Sequence, residues 1–122
     1  EYQKRKERAL FLSLHSDASK GHNASGFTVY TSPGQTSSDP IGTIIFDNVK
    51  EEFGKEIKYR TDTIDGDHDK EEKFHVLQKT NMSAVLLEWL FFDYYPDAIK
   101  IIDPGYMNRY CNAILKSIKE IL

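Results

Sequence analysis

Two residues with catalytic chemistry, His15 and Glu88, each follow directly on an apolar run of the chain. His15 comes after residues 10–14 (LFLSL), and Glu88 comes after residues 84–87 (AVLL). A neutral imidazole is a natural zinc ligand, and a carboxylate beside a metal can take a proton from water. A carboxylate at the end of a buried run costs free energy unless it is solvated, paired or functional. The ordinary alternatives are a hydrogen-bonded histidine and a solvated glutamate.

Both apolar runs are predicted to be strands. Nearly continuous apolar segments are typical of strands that are buried on both faces of a parallel sheet. Residues 27–30 (FTVY) are predicted to form another strand because they are β-branched and aromatic, and residues 74–77 are a candidate for a short one. Ligands bind at the carboxyl ends of strands in open α/β sheets. If the two runs are parallel neighbours, His15 and Glu88 should therefore face one cleft.

Helices are predicted between and after these strands. Helix starts are indicated at residues 38–40 and 103–104, where a capping side chain precedes proline, and a short helix is expected near Pro96. The first helix has an apolar stripe, and Gly54 weakens its end; the stripe consists of Ile41, Ile44, Ile45, Val49, Phe53 and Ile57. The last helix is predicted to present one apolar face, consisting of Met107, Cys111, Ile114, Ile118 and Ile121. Alternating strands and helices indicate an α/β sheet, here in a single domain of residues 1–122.

Composition excludes several classes of protein. The net charge is −3, which argues against nucleic acid as a partner, and the basic residues among positions 4–8 are interpreted as a solvated helix end. No apolar run approaches the roughly 20 residues of a membrane span, and residues 1–8 lack the apolar segment of a signal peptide. Cys111 is the only cysteine, so any metal must be held by His, Asp or Glu.

Several segments resemble the type 3 N-acetylmuramoyl-L-alanine amidases. Residues 10–18 (LFLSLHSDA) are similar to that family's FISIHANA segment, and residues 76–88 (VLQKTNMSAVLLE) are similar to its VLRNTKMPAVLVE. Residues 26–30 resemble the strand that follows the first segment, and residues 91–97 resemble the family's GFLSNPED stretch. Asp103, Tyr106 and the amphipathic last helix match its C-terminal end, so the resemblance spans nearly the whole chain.

The resemblance implies a mostly parallel or mixed sheet that is flanked by helices. It also implies hydrolysis of the amide between the lactyl group of N-acetylmuramic acid and the L-alanine of the peptidoglycan stem peptide. That family holds one zinc by His, Glu and His, and the matching positions give His15 as the second histidine ligand and Glu88 as the catalytic glutamate. The implied setting is the cell wall, extracellular or periplasmic, as a bacterial autolysin or a phage endolysin, with no membrane insertion.

The chain departs from the family pattern at its beginning. The family's first histidine lies in a GHGG motif and its glutamate ligand follows, and neither motif occurs here. The chain is therefore predicted to be the C-terminal two thirds of the family domain, without the first strands, and to bind zinc weakly and show little or no activity alone. The alternative hypothesis is a non-catalytic peptidoglycan-binding module. An unrelated α/β binding domain would require both motif matches to be accidental.

Two local differences affect the proposed site itself. Trp89 and Leu90 stand where the family has small residues after the glutamate, and they are expected to narrow the pocket. Asp17 stands at the position of the family's HANA asparagine.

The remaining candidate residues are interpreted as structural or solvated. His22 lies in a Gly/Asn/Ser loop and could replace a lost ligand, but an exposed loop histidine is the favoured interpretation. His75 is interpreted as structural. Residues 65–69 form an acidic cluster without the glutamate that closes a calcium loop, so residues 60–73 are predicted to be an exposed loop in which His68 binds no metal. Cys111 is expected to be packed rather than reactive.

Three aromatic residues near Glu88 have two possible roles. Trp89, Phe91 and Phe92 could line a sugar subsite, although core packing is the default for aromatic side chains beside a buried strand.

Overall fold

The computed structural model describes residues 9–31, 38–60 and 82–122. Within these ranges the chain forms strands β1 (Leu10–Asp17), β2 (Phe27–Thr31) and β3 (Ser83–Phe91). The helices are α1 (Ser38–Phe53), α2 (Tyr95–Ile101) and α3 (Pro104–Ile121), and a 3-10 turn follows α1. The strand order is β1-β3-β2, which confirms the predicted α/β class with a mixed sheet and flanking helices. None of the described helices is long and apolar enough to cross a membrane.

The sheet is mixed because β3 has one parallel and one antiparallel neighbour. β1 pairs with β3 in parallel, and β2 pairs with β3 in the antiparallel direction. Both strands of the motif are longer than predicted: β1 continues past Leu14 to Asp17, and β3 continues past Glu88 to Phe91. Pairing continues because the ladder is made by backbone groups, whatever the polarity of the side chains.

The prediction that β1 is buried on both faces is wrong. The exposed fraction is 39% for Phe11 and 57% for Leu14. In the described sheet β1 pairs only with β3 and is an edge strand, so it has a neighbour on one side only. β3 lies in the centre and is buried from Ala84 to Phe91, which confirms the predicted burial of residues 84–87 and extends it.

One face of the sheet packs against α1 and α3. The predicted stripe of α1 supplies Ile45, Val49 and Phe53 to this core. Trp89 of β3 stacks on Tyr110 of α3 with ring centroids 4.1 Å apart. Side chains alternate between faces along a strand, so the smaller cluster of Tyr30, Ala84 and Leu86 belongs to the opposite face.

The buried face of α3 is rotated from the predicted one. Ile114 is buried and Met107, Ile118 and Ile121 pack against the core as predicted, but the face is centred on Tyr110, Ala113 and Ser117. Cys111 is exposed, because each residue turns about 100° round a helix and Cys111 lies past the edge of this face. The prediction of a packed Cys111 is therefore wrong.

The predicted start of α3 is confirmed in atomic detail. Asp103 Oδ1 accepts hydrogen bonds from the backbone N–H groups of Gly105 at 2.7 Å and Tyr106 at 3.4 Å. These bonds satisfy helix N–H groups that have no partner inside the helix.

A β-bulge lies in β3 directly after Glu88. His15 pairs with Glu88 but Asp17 pairs with Phe91, so β3 advances three residues where β1 advances two. Leu90 takes up the extra residue with a φ of +62° and is completely buried. A left-handed backbone costs a residue other than glycine about 1 kcal/mol. The bulge therefore places backbone strain on Leu90.

We expect Leu90→Gly to destabilise the fold no more than Leu90→Ala does. Both variants lose the packing of a buried leucine, which is worth about 2–5 kcal/mol, but only glycine relieves the left-handed backbone. Leu87 is the matched control, since it is equally buried in β3 and has no positive φ. There glycine should cost about 0.5–1 kcal/mol more than alanine. Denaturant unfolding measures these costs. If glycine costs more than alanine at both positions, the backbone strain at Leu90 is contradicted.

Candidate active site

Strands β1 and β3 bring His15 and Glu88 together as register partners. Paired residues of neighbouring strands point to the same face, and alternation puts Glu88 on the face opposite Trp89 and its core. Glu88 is 6% exposed, whereas His15 is exposed. The predicted juxtaposition of these two residues across parallel strands is confirmed, and their chemical roles stay predictions.

The negative charge of the Glu88 carboxylate has little to stabilise it. Its Oε2 atom is buried and has no hydrogen-bond partner among the described residues. Burial, and then the negative charge of Asp17, raise the pKa of Glu88 to about 7, because both disfavour the ionised form. A carboxyl group whose pKa lies near neutrality can accept a proton and later donate it at the same pH.

The side chain of His15 has a hydrogen-bonding neighbour on its own strand. The Oγ atom of Ser13 lies 2.7 Å from the Nε2 atom of His15. When Nε2 carries the ring proton, this contact leaves Nδ1 as a free acceptor. A partner on one ring nitrogen is the usual way in which a protein orients a histidine that ligates metal through the other.

Glu88 belongs to a row of side chains that crosses the sheet. Thr28 of β2 pairs with Glu88, is fully buried, and its Oγ1 atom has no hydrogen-bond partner among the described residues. Beyond β2, Tyr59 pairs with Phe27 in parallel, so Arg60 follows beside Thr28. This row, which we call the site row, consists of His15, Glu88, Thr28 and Arg60.

The loop after β1 is tied to the residues that follow β3. Asp93 Oδ2 accepts hydrogen bonds from the backbone N–H of Ser19 at 2.9 Å and from Nδ1 of His22 at 2.8 Å. Burial opposes ionisation of Asp93, but these hydrogen bonds lower its pKa below the ordinary value. His22 has a side chain that is 72% exposed, so it is an exposed loop histidine as predicted.

Asp97 is a buried carboxylate whose importance the sequence did not reveal. It is 2% exposed. Its Oδ1 accepts from the hydroxyl of Ser25 at 2.7 Å, and its Oδ2 accepts from the backbone N–H groups of Gly26 and Phe91, each at 3.0 Å. Asp97 therefore joins the start of β2 to the end of β3, next to the bulge. The match of residues 91–97 to the family motif was the available signal, but it assigned this residue no role.

Gly26 lets two backbone segments meet beside this anchor. Its φ is +123°, and a Cβ atom there would lie 2.8 Å from the carbonyl oxygen of Lys58. The N–H of Phe27 donates to that same carbonyl at 2.8 Å. Residues 58–60 thereby run alongside β2 and carry Arg60 to the site row.

The aromatic residues after Glu88 divide between core and surface. Trp89 and Phe91 are 2% and 3% exposed, which confirms core packing, whereas Phe92 is 58% exposed. His75, His68 and the acidic cluster at residues 65–69 lie outside the described residues.

The site has the chemistry of part of a zinc centre. Within residues 9–31, 38–60 and 82–122, no three His, Cys, Asp or Glu side chains are placed to hold a metal ion. An accessible imidazole beside a buried, unpartnered carboxylate does fit one side of such a centre. A catalytic zinc normally has three protein ligands, of which His15 would be one.

Nearly the whole chain matches one protein family. Residues 1–120 match the Amidase_3 family, described as N-acetylmuramoyl-L-alanine amidase. The chain therefore belongs to that family, as residues 10–18 and 76–88 had indicated. No curated protein sequence matches the chain.

Solved amidase structures share the fold. The catalytic domain of CwlV from Bacillus (Paenibacillus) polymyxa var. colistinus is 22% identical with a TM-score of 0.73, over 98% of this chain and 60% of that one. AmiC2 of Nostoc punctiforme is 18% identical with a TM-score of 0.76, over 98% and 61%. An amidase from Clostridium difficile 630 is 18% identical with a TM-score of 0.75, over 96% and 59%. The chain thus spans about 60% of the length of these structures.

Proposed function

We propose that this chain is part of a zinc-dependent amidase that cleaves the bond between N-acetylmuramic acid and the L-alanine of the peptidoglycan stem peptide. The observation that carries the proposal is the register pairing of His15 with Glu88 in a chain that belongs to the amidase family. The family motifs assign metal binding to His15 and proton transfer to Glu88. The proposed place of action is the cell wall, outside the cytoplasmic membrane.

The geometry supports different roles for the two residues, metal binding for His15 and proton transfer for Glu88. When bound, zinc lowers the pKa of water to about 7 and polarises the scissile carbonyl. His15 would hold the metal through a ring nitrogen, and the contact with Ser13 would fix the orientation of the ring. Glu88 accepts a proton from the attacking water and passes it to the nitrogen of the leaving alanine. A pKa near 7 suits Glu88 to both steps.

The proposed centre requires two more protein ligands besides His15. The family supplies a histidine and a glutamate, and their motifs do not occur in these 122 residues. In the proposed enzyme, side chains outside the two matching motifs supply them. The 122-residue chain by itself is expected to hold zinc weakly.

A second candidate is a peptidoglycan-binding module without catalysis. It is favoured by one observation: within the described residues, no three His, Cys, Asp or Glu side chains are placed to hold a metal ion. Such a module would keep the face of the sheet that carries Glu88, and would bind peptidoglycan without cleaving it.

The test is to identify the bond that is cut. The full polypeptide encoded by the gene is incubated with purified peptidoglycan and zinc. An amidase releases one new amino group, on alanine, per cleavage and no reducing sugar. We expect amino groups to appear alone, to stop with a chelator and to return with added zinc. New reducing ends would contradict the proposal, and tight binding without any release would favour the module.

A further inference from the structure

Arg60 is a cation on the site row, and its side chain makes no hydrogen bond or ion pair with the residues that the structure describes. Its backbone N–H donates to the carbonyl of Phe27 at 2.9 Å, which fixes the residue beside β2. The ring of the preceding Tyr59 packs on Phe46 of α1, with centroids 5.7 Å apart, and so lies on the core face. Successive residues of an extended segment point to opposite faces. Arg60 therefore projects to the face that carries Glu88.

The guanidinium of Arg60 is held by a ring rather than by a carboxylate. It lies 5.2 Å from the ring centroid of Phe91, a residue of β3 that is 3% exposed. Among the described residues, no Asp or Glu lies within ion-pair distance of it. The contrast with Arg109 is direct, since that guanidinium also lies over a ring, Phe53, but is bound by Glu52. Stacking orients a guanidinium and leaves its N–H donors available.

The separation of Arg60 from Glu88 suits the binding of an anion on the peptide side of the scissile amide, beyond the leaving alanine. Arg60 and Glu88 are separated across the sheet by Thr28 alone, and two strand spacings amount to roughly 10 Å. An extended peptide advances about 3.4 Å per residue. When the first amide lies at Glu88, a carboxylate on the second residue of the stem peptide lies two residues, roughly 7 Å, further along, and the arginine side chain spans the remaining few ångströms.

We propose that Arg60, held on Phe91 at the far end of the site row, binds a free carboxylate of the stem peptide beyond the alanine. The inference rests on the proposed amidase function and adds a determinant of its substrate preference. A planar guanidinium matches the two oxygens of a carboxylate. The enzyme should therefore prefer stem peptides whose second residue is ionised over those in which it is amidated.

The experiment compares two soluble N-acetylmuramoyl tetrapeptides that differ only at the second residue, a free carboxylate in one and its amide in the other. The full polypeptide is used with zinc. The parent should prefer the carboxylate substrate, and Arg60→Met, which keeps the apolar stem on Phe91, should raise KM for that substrate by roughly 10- to 100-fold. Its kcat should stay within about twofold, its KM for the amide substrate should not change, and Arg60→Lys should restore part of the loss. Lys58→Met, on an exposed neighbour in the same segment, is the matched control.

The outcomes separate the two proposals. If the parent cleaves both substrates and Arg60→Met affects them equally or not at all, the role of Arg60 is overturned while the amidase function stands. If the parent cleaves neither substrate, the proposed function fails and this inference fails with it. Circular dichroism of Arg60→Met and Arg60→Lys shows whether a loss of activity reflects misfolding. If Arg60→Met is misfolded, Arg60→Lys is the test: a retained preference for the carboxylate substrate supports the role of Arg60, and no preference overturns it.

Discussion

Glu88→Gln, in the zinc-loaded full polypeptide, is expected to lower turnover by roughly 10²- to 10⁴-fold, the usual contribution of a general acid–base group. Glutamine has nearly the same shape as glutamate and cannot accept the proton of water. Glu88 lies beside His15 in the register of the parallel strands, so the change removes the proton acceptor without altering the backbone. The measurement is the rate of amino-group release from peptidoglycan. A variant with near-normal turnover would contradict the role of Glu88.

Stability measurements show whether that loss of turnover reflects unfolding of the variant. Burial raises the pKa of Glu88 to about 7 in the folded chain, whereas an unfolded glutamate ionises near 4.3. A raised carboxyl pKa means that stability falls as pH rises from about 4 to 7, because the unfolded chain loses its proton first. Glutamine lacks this penalty. Metal-free Glu88→Gln should therefore be at least as stable as its parent at pH 8.

Asp97→Ala is expected to have the largest effect on folding, a loss of about 3–5 kcal/mol in the free energy of unfolding. The carboxylate is 2% exposed and accepts three hydrogen bonds, from Ser25, Gly26 and Phe91. Alanine leaves these donors buried without an acceptor, and it releases the start of β2 from the end of β3. Denaturant unfolding of the variant and its parent measures the loss.

Asp103→Ala is the matched control for Asp97→Ala. Asp103 also accepts two backbone N–H bonds, but it is exposed at the start of α3. Loss of such a helix cap costs about 1 kcal/mol. Equal losses in the two variants would show that burial gives Asp97 no special weight. Asp97→Asn should fall between them, because one of its side-chain atoms still accepts while the amide nitrogen faces N–H donors.

The sequence predicted the elements of the fold better than their surroundings. Apolar runs located β1 and β3, and the stripe of α1 packs as its spacing indicated. The same run in β1 predicted complete burial, yet Leu14 is 57% exposed, because the position of a strand in a sheet depends on pairing partners that its own residues do not specify. The predicted buried face of α3 was rotated towards Cys111 because it, too, depends on contacts that the helix's own residues do not specify. Its centre, at Tyr110, is set by the stacking of that ring on Trp89.

The candidate site was predicted where motif and strand direction agreed. His15 and Glu88 each follow an apolar run, and parallel pairing places them side by side. Asp97 was not assigned a role, since its partners Ser25 and Gly26 lie more than 70 residues earlier in the chain. The bulge at Leu90 was not predicted either, since a leucine does not signal a left-handed backbone.

The most direct test of this account is the zinc content of two variants of the full polypeptide, purified side by side with the parent. Inductively coupled plasma mass spectrometry gives moles of zinc per mole of protein. We expect Glu88→Gln to keep the zinc of the parent while losing turnover, and His15→Ala to lose both zinc and turnover. The account would be contradicted if His15→Ala kept its full zinc, since His15 would not be a ligand. It would equally be contradicted if Glu88→Gln lost zinc as completely as His15→Ala, since Glu88 would then hold the metal instead of moving a proton.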